Sequence, residues 1–332
     1  TPGEDYVYCS ANELYNTLDE YCDESNMIES RPPVLILGEN GAGKSALLSN
    51  WCNRRAKSQS RNRNEFVFWH AIGCTRHSTK VSNLMRRLMT ELKKKYELTR
   101  DVTTTNERLS WDLPRFLDLA GKRGKIIIVL DGLGRLVTDD ENEAGMMWLP
   151  LEFPPNVRII LSAGAPNTLE FSGTGAAAGD SSPRKPRFIT ELERRQLQVI
   201  RIKPLERPIA RSIIDSFIRK TVQGSSSSSI TTPFLTEAGG EKEEPTLGLV
   251  LFDTQVARIV THPLATNPMF LSFFLRCMNW AIARGFSVWQ IGEEWLEAEN
   301  MEDLLHKILE RFEYGFFNTD EQIKEDADLA VK

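Results

Sequence analysis

Cysteine is scarce and unpatterned in this chain. Cys9, Cys22, Cys52, Cys74 and Cys277 are odd in number and show no CxxC spacing. That excludes a disulfide framework or a thiolate zinc site and fits a reducing compartment. Long apolar runs are missing as well. None approaches the roughly 20 residues that a membrane span requires, and the opening stretch has no secretory signal pattern. Charge of one sign is not in excess: the formal net charge is −5, so no global field draws the chain to nucleic acid or to an anionic membrane. The local cluster Arg54-Arg55-Ala56-Lys57, with Arg61 and Arg63, reads as a solvated helix end and loop. His70, His77, His262 and His306 share no metal-ligand spacing and build no Ser/His/Asp arrangement, so structural roles are expected for each. Cys74 and Cys277 sit in apolar contexts and read as core.

What is present is an ordinary globular balance, 41% hydrophobic and 26% charged over 332 residues, enough for two domains. The chain opens at Thr1 and stops after a helical pattern, as expected of a piece of a longer protein. Residues 12–22 have helical spacing, and Arg31-Pro32-Pro33 ends that lead-in. Short apolar runs at 34–37, 65–72, 126–130, 157–161 and 197–202 read as strands, with helical patterns at 82–96 and in the crossovers between them. The predicted fold class is α/β: a core with an open, mostly parallel five-stranded sheet flanked by helices. A helical lid subdomain follows, patterned at 208–222, 268–283 and 295–312. The boundaries expected are a lead-in over 1–30, the core over 31–205 and the lid over 206–332. Two Gly/Ala/Ser-rich or acidic stretches, 172–187 and 224–248, are too polar and simple to bury surface and read as disordered insertions. Trp280, Phe286, Trp289 and Trp295 read as packing core.

Gly38-Glu39-Asn40-Gly41-Ala42-Gly43-Lys44-Ser45 matches G-x-x-x-x-G-K-[ST] at every fixed position. Glycines are needed where phosphates approach the backbone so closely that a Cβ would collide. Amides from about residue 41 to Ala46 open a helix and face the β-phosphate, helped by the helix dipole. Lys44 bridges β- and γ-phosphate oxygens, and the Ser45 hydroxyl ligates Mg²⁺. An apolar strand before the loop and an apolar-periodic helix after it supply the context that a chance glycine turn lacks. Lys125-Ile-Ile-Ile-Val-Leu-Asp131 is the Walker B pattern, with Asp131 reaching Mg²⁺ through water from a strand end.

The run after Asp131 is Gly132-Leu133-Gly134-Arg135, with no carboxylate before Asp139. A second acid that polarises the attacking water is therefore missing. The D-x-x-G spacing also fits GTPases, but no N-K-x-D accompanies it. Strand 157–161 delivers Ser162 to the same edge, either as a sensor of the γ-phosphate or attacking water, or simply as a small polar residue starting a loop.

The segments GENGAGKSALLSNWC, FVFWHAIGCTRHSTKVSNLMRRLMTEL, KIIIVLDGLGRL, NVRIILSA and TNPMFLSFFLRCM together resemble the STAND class of P-loop NTPases. Within it they resemble the NACHT-like group of nephrocystin-type ciliary proteins and telomerase-associated proteins. The likeness implies an ADP/ATP switch with Mg²⁺, scaffolding or signalling roles, protein partners or self-association, and TPR-like repeats elsewhere in the full protein. It implies a cytoplasmic or cilium-associated location and a lid proline at the adenine side, here Pro268. The acidic pair of NACHT proteins is replaced by Gly134-Arg135, the arginine after the sensor strand by Ala163, and the N-terminal G-R-E element by Cys9-Ser10-Ala11. These departures leave nucleotide binding and put fast hydrolysis in doubt. An AAA+-type motor and a vestigial structural module stay open as rivals.

Overall fold

A computed structural model of the chain describes residues 12–23, 30–58, 65–137, 146–164, 187–195, 197–224, 249–283 and 288–311. The chain divides between Lys203 and Pro204 into two compact units.

In the first unit, α1 (Asn12–Asp23) precedes β1 (Val34–Gly38), α2 (Lys44–Ser58) and β2 (Glu65–Ala71). Helices α3 (Val81–Tyr96) and α4 (Asn106–Gly121) lead to β3 (Lys125–Asp131) and β4 (Val157–Gly164), then α5 (Arg187–Arg194) and β5 (Gln198–Arg201). The strand order is β2-β3-β4-β1-β5, and all four pairings are parallel. Parallel neighbours need crossover helices, and these cover both sheet faces; hence β1, β3 and β4 read as nearly unbroken Val/Ile/Leu runs. The pleat sorts them by period two. Leu35, Leu37, Ile126, Ile128, Leu130, Ile159 and Leu161 share one core with α3, α4 and the 146–153 segment. Ile36, Ile127, Val129 and Ile160 alternate with them and are also buried, while α2 packs against β1, β2 and β3.

Helix α1 buries Leu18, Tyr21 and Cys22 and is also tied to this unit by polar contacts. The Tyr21 hydroxyl accepts from the Ile159 amide at 3.2 Å and faces the Ile159 and Pro32 carbonyls at 3.1 Å each, just before the β1–β4 pairing begins at Val34 and Ile160. Arg55 is not the solvated residue expected of a basic helix end. It is buried and forks onto Glu65 through Nε at 2.6 Å and Nη2 at 2.8 Å, while also bonding Asp19 and Asp23 of α1.

The second unit contains α6 (Arg207–Gly224), α7 (Asp253–Thr261), a 3-10 turn over Pro263–Thr266, α8 (Pro268–Ala283) and α9 (Val288–Trp295), with a further helix over 301–311. Its core joins Ile214, Phe270, Phe274, Met278, Trp295 and Leu304. Asn267 caps α8, its Oδ1 accepting from the Met269 amide at 2.9 Å, and Pro268 fills the first helical position, where a missing N–H costs nothing.

Four expectations need correction. The pattern over 295–312 is not one helix: it breaks after Trp295, and Asn300 caps a new helix by accepting from the Glu302 and Asp303 amides at 3.0 and 2.9 Å. Cys74 is exposed, because the chain turns outward at Gly73; Cys277 is buried as expected. Strand β5 is shorter than the expected 197–202, running Gln198–Arg201 as a mostly exposed sheet edge. The polar stretches also end short of their expected bounds, since Arg187 opens α5 and Gly224 closes α6. Their remaining residues, with Phe286, lie outside the described residues. No helix among the described residues is long and apolar enough to cross a membrane.

Candidate functional site

Strand β1 ends at Gly38 and the chain turns into α2 through a loop whose shape only glycine permits. Gly41 and Gly43 adopt φ of 79° and 88°, the left-handed region that strains any L side chain. A Cβ on Gly38 would come within 3.2 Å of the Ile202 Cβ and 3.4 Å of the Ala42 Cβ. Glu39 and Ala42 close a turn through a 3.1 Å backbone bond, with Asn40 between them. The first intrahelical bond runs from the Leu47 amide to the Gly43 carbonyl at 2.8 Å. Amides at the head of α2, through Ser45 and Ala46, have no partner further up the helix and form an anion cradle. The Lys44 ammonium bends back over this loop, donating to the Gly38 and Glu39 carbonyls at 2.8 Å each.

Asp131 closes β3 at the same sheet edge, 5% exposed. Register places Ala71 beside it on β2, and on β4 the pairing of Leu130 with Leu161 leads directly to Ser162. The Ser162 hydroxyl, fully buried, donates to Asp131 Oδ1 and accepts from the Gly132 amide at 2.8 Å. Gly132 has φ of 87°, which lets the backbone fold its amide back toward Ser162. On its other side β4 pairs with β1, Ile36 opposite Ser162 and Gly38 opposite Gly164. One strand therefore separates the glycine loop from Asp131, roughly 10 Å for two strand spacings.

The chain after Gly132 turns away from β1. Leu133–Arg135 forms a 3-10 turn, and the Arg135 Cδ lies 2.8 Å from where a Gly73 Cβ would stand. Gly73 follows β2, on the far side of β3 from the glycine loop. The segment after β2 is organised around Ser78, whose Oγ accepts from the Gly73 and Thr75 amides at 3.0 and 3.1 Å and donates to the Thr75 carbonyl at 2.7 Å. His70 reaches the Ser78 carbonyl through Nε2 at 2.9 Å and faces Arg87 through Nδ1 at 3.1 Å. Burial lowers its pKa, so the neutral ring acts as a structural strut. His262 is structural too: it accepts from the Leu264 amide at 3.2 Å and stacks on Phe270.

The sequence model of the NACHT domain matches residues 32–220, more than half of the chain. This protein belongs to the NACHT domain family. Similar proteins include a TPR repeat-containing protein of Dictyostelium discoideum (28% identical, 41% of this chain and 10% of the relative). Human nephrocystin-3 is 32% identical over 40% of this chain and 10% of its own length. Mouse telomerase protein component 1 is 27% identical over 41% and 5%. The NACHT chain thus spans about a tenth or less of the length of these relatives. Among solved structures, the Aeropyrum pernix ORC1 protein in complex with DNA aligns with a TM-score of 0.49 and 15% identity, covering 93% of this chain and 67% of that one. Domain III of Thermotoga maritima DnaA aligns at 0.43 and 12%, covering 92% and 95%.

The residues of this NACHT domain fit a triphosphate with a hard divalent ion. The loop is shaped by glycines at positive φ at the head of a helix, and the oxygen donors on offer, the exposed Ser45 hydroxyl and the Asp131 carboxylate, suit Mg²⁺. Among the described residues no three His, Cys, Asp or Glu side chains converge. An ion here would therefore share its coordination with phosphate and water, as Mg²⁺ usually does. Sequence reasoning missed Gly132, Gly73 and the Ser78 hub. The glycine immediately after Asp131 was the visible signal. Pro268 belongs to the second unit, where it opens α8.

Proposed function

We propose that this NACHT domain is an ATP/ADP-dependent molecular switch of the STAND class that hydrolyses ATP slowly and regulates the assembly of a larger scaffold. One observation carries the slow turnover. Where a water-activating acid would follow Asp131, the chain folds into a 3-10 turn whose only charge, Arg135, lies over Gly73. From Gly132 to Val137 there is no carboxylate.

Lys44 and the helix-end amides would hold the β- and γ-phosphates, and Ser45 with Asp131 would hold Mg²⁺, which when bound supplies compensation for phosphate charge. Ser162 acts by fixing Asp131 rather than by touching phosphate, because its one proton goes to the carboxylate. A ligand shifts a two-state equilibrium only by its differential affinity, so ATP and ADP must bind unequally. Pro268 would approach the adenine side, as the family resemblance implies. The partners on this reading are proteins or further copies of the domain, not nucleic acid, in the cytoplasm or at cilium-linked scaffolds.

Calorimetry with ATP and ADP separately, each with Mg²⁺, is expected to give affinities differing at least tenfold. Equal values remove the switch. Turnover is expected at least 100-fold below the roughly 10 s⁻¹ typical of enzymes; rapid hydrolysis abolished by Asp131→Asn favours an AAA+-type motor instead.

Ser162→Ala removes the buried Asp131 contact and leaves the half-buried Gly132 amide without this partner, costing about 1–3 kcal/mol of stability. It is also expected to weaken Mg²⁺-ATP binding more than Mg²⁺-free ATP binding. Unchanged Mg²⁺ dependence in titration calorimetry would return Ser162 to an ordinary strand residue.

A further inference from the structure

We infer that the outer face of α4 is a docking surface for an acidic segment of a partner protein that presents an apolar anchor. The inner face of α4 is spent on the core: Leu109, Leu113, Phe116, Leu117 and Ala120 are all buried. Its outer face repeats at i, i+3, i+7 and i+11 as Arg108, Trp111, Arg115 and Leu119, one stripe of a 3.6-residue period. Trp111 is 79% exposed, more than any other large hydrophobic among the described residues, and Leu119 is 40% exposed. A helix needing only solubility at these positions would carry Lys, Glu or Gln; an indole in water has no folding reason.

The charges beside it sharpen the reading. Asp112 is taken by Arg100 at 2.6 Å and Asp118 by Lys122 at 2.7 Å. Arg108 and Arg115, one turn to either side of Trp111, have no ion pair among the described residues, and Glu107 is the one other carboxylate of the exposed face. The face is therefore net basic on a chain of net charge −5. Tryptophan and arginine together are the residues that dominate binding energy at protein interfaces, the indole as a rigid anchor and the guanidinium as a bidentate carboxylate fork. An aliphatic or aromatic side chain covering the indole, with carboxylates one helical turn to each side, satisfies all of these groups. Two arginines do not make the continuous basic groove that a phosphate backbone follows, and a two-fold pairing of this face with itself would set Arg108 and Arg115 of one copy against those of the other. The proposal does not depend on the nucleotide reading.

The test is selection of a random 16-residue peptide library on the wild-type protein, depleted on Trp111→Ala, with the leading peptide then titrated by fluorescence anisotropy. Trp111→Arg serves as a second variant should alanine disturb α4. Enriched peptides are expected to pair Asp or Glu with an aliphatic or aromatic residue. Their affinity is expected to fall at least tenfold with either Trp111 variant or with Arg108→Glu plus Arg115→Glu, and to weaken with salt. The proposal is overturned if no peptide depends on Trp111, or if the enriched peptides are neutral or basic. It also fails if a single-stranded oligonucleotide binds there instead, or if sedimentation shows Trp111-dependent dimers without peptide.

Discussion

Lys44→Ala is expected to lower ATP affinity at least 100-fold, about 2.7 kcal/mol, with the unliganded protein melting as before. The ammonium is already held at the loop mouth by the Gly38 and Glu39 carbonyls, so it meets incoming phosphates with little loss of side-chain freedom. Bonds from an ammonium to phosphate oxygens contribute about 1.5–3 kcal/mol each, more than bonds between neutral groups. Its removal leaves two carbonyls at a half-buried loop that water can reach, so the fold itself changes little. Titration calorimetry reads the affinity directly. Thermal melting gives an independent measure, since ligand at 100 times its Kd stabilises the wild type by about 2.7 kcal/mol, a gain the variant would lose. Binding of the variant within threefold of wild type would show that the loop holds no triphosphate.

The parts of this site that were legible in the sequence are those set by local chemistry. Glycine at 38, 41 and 43 is demanded by backbone angles and close approach, and a four-residue apolar strand in front fixes where the loop sits. Asp131 could be read because its buried strand follows the glycine loop with a helical crossover between, a context that a chance strand-end aspartate lacks. The Ser162–Asp131–Gly132 lock could not, because it depends on which residue of β4 faces which residue of β3, and register is not written in either run alone. Cys74 was misplaced for a similar reason: apolar neighbours suggested burial, yet Gly73 at φ 85° turns the chain outward. The break after Trp295 hid because helical spacing continues through it, and the Asn300 cap was the signal to weigh. Charged residues were the hardest. Arg55 and Glu65 look like surface groups one at a time, and only the folded chain brings them together.

Arg55→Met is expected to cost about 3–5 kcal/mol of unfolding free energy, because it strands a buried carboxylate. The Arg55 and Glu65 side chains are 9% and 6% exposed and meet through two parallel bonds. Lys125 stands 3.6 Å from Glu65, too far to replace the fork, and its closer partner is Asp23 at 2.7 Å. The same guanidinium holds α1 through Asp19 and Asp23, while Trp51 donates to Asp19 at 2.9 Å, so the loss should spread into detachment of α1. Urea denaturation measures the difference. The companion variant pairing Arg55→Met with Glu65→Leu should recover most of the loss, since well-packed apolar pairs often match buried ion pairs. If the double variant is as unstable as the single one, the cost lies in α1 and not in the stranded Glu65. Acid provides a second reading. Burial pushes the Asp23 carboxyl up, but hydrogen bonds from Arg55 and Lys125 outweigh it and hold the pKa below the ordinary 3.8. A depressed carboxyl contributes stability that is present above its unfolded value and lost as pH falls through the folded one. Stability of the wild type should therefore fall more steeply than that of Arg55→Met as pH drops below about 4. Parallel pH profiles for the two proteins would mean that Arg55 does not hold Asp23 in solution.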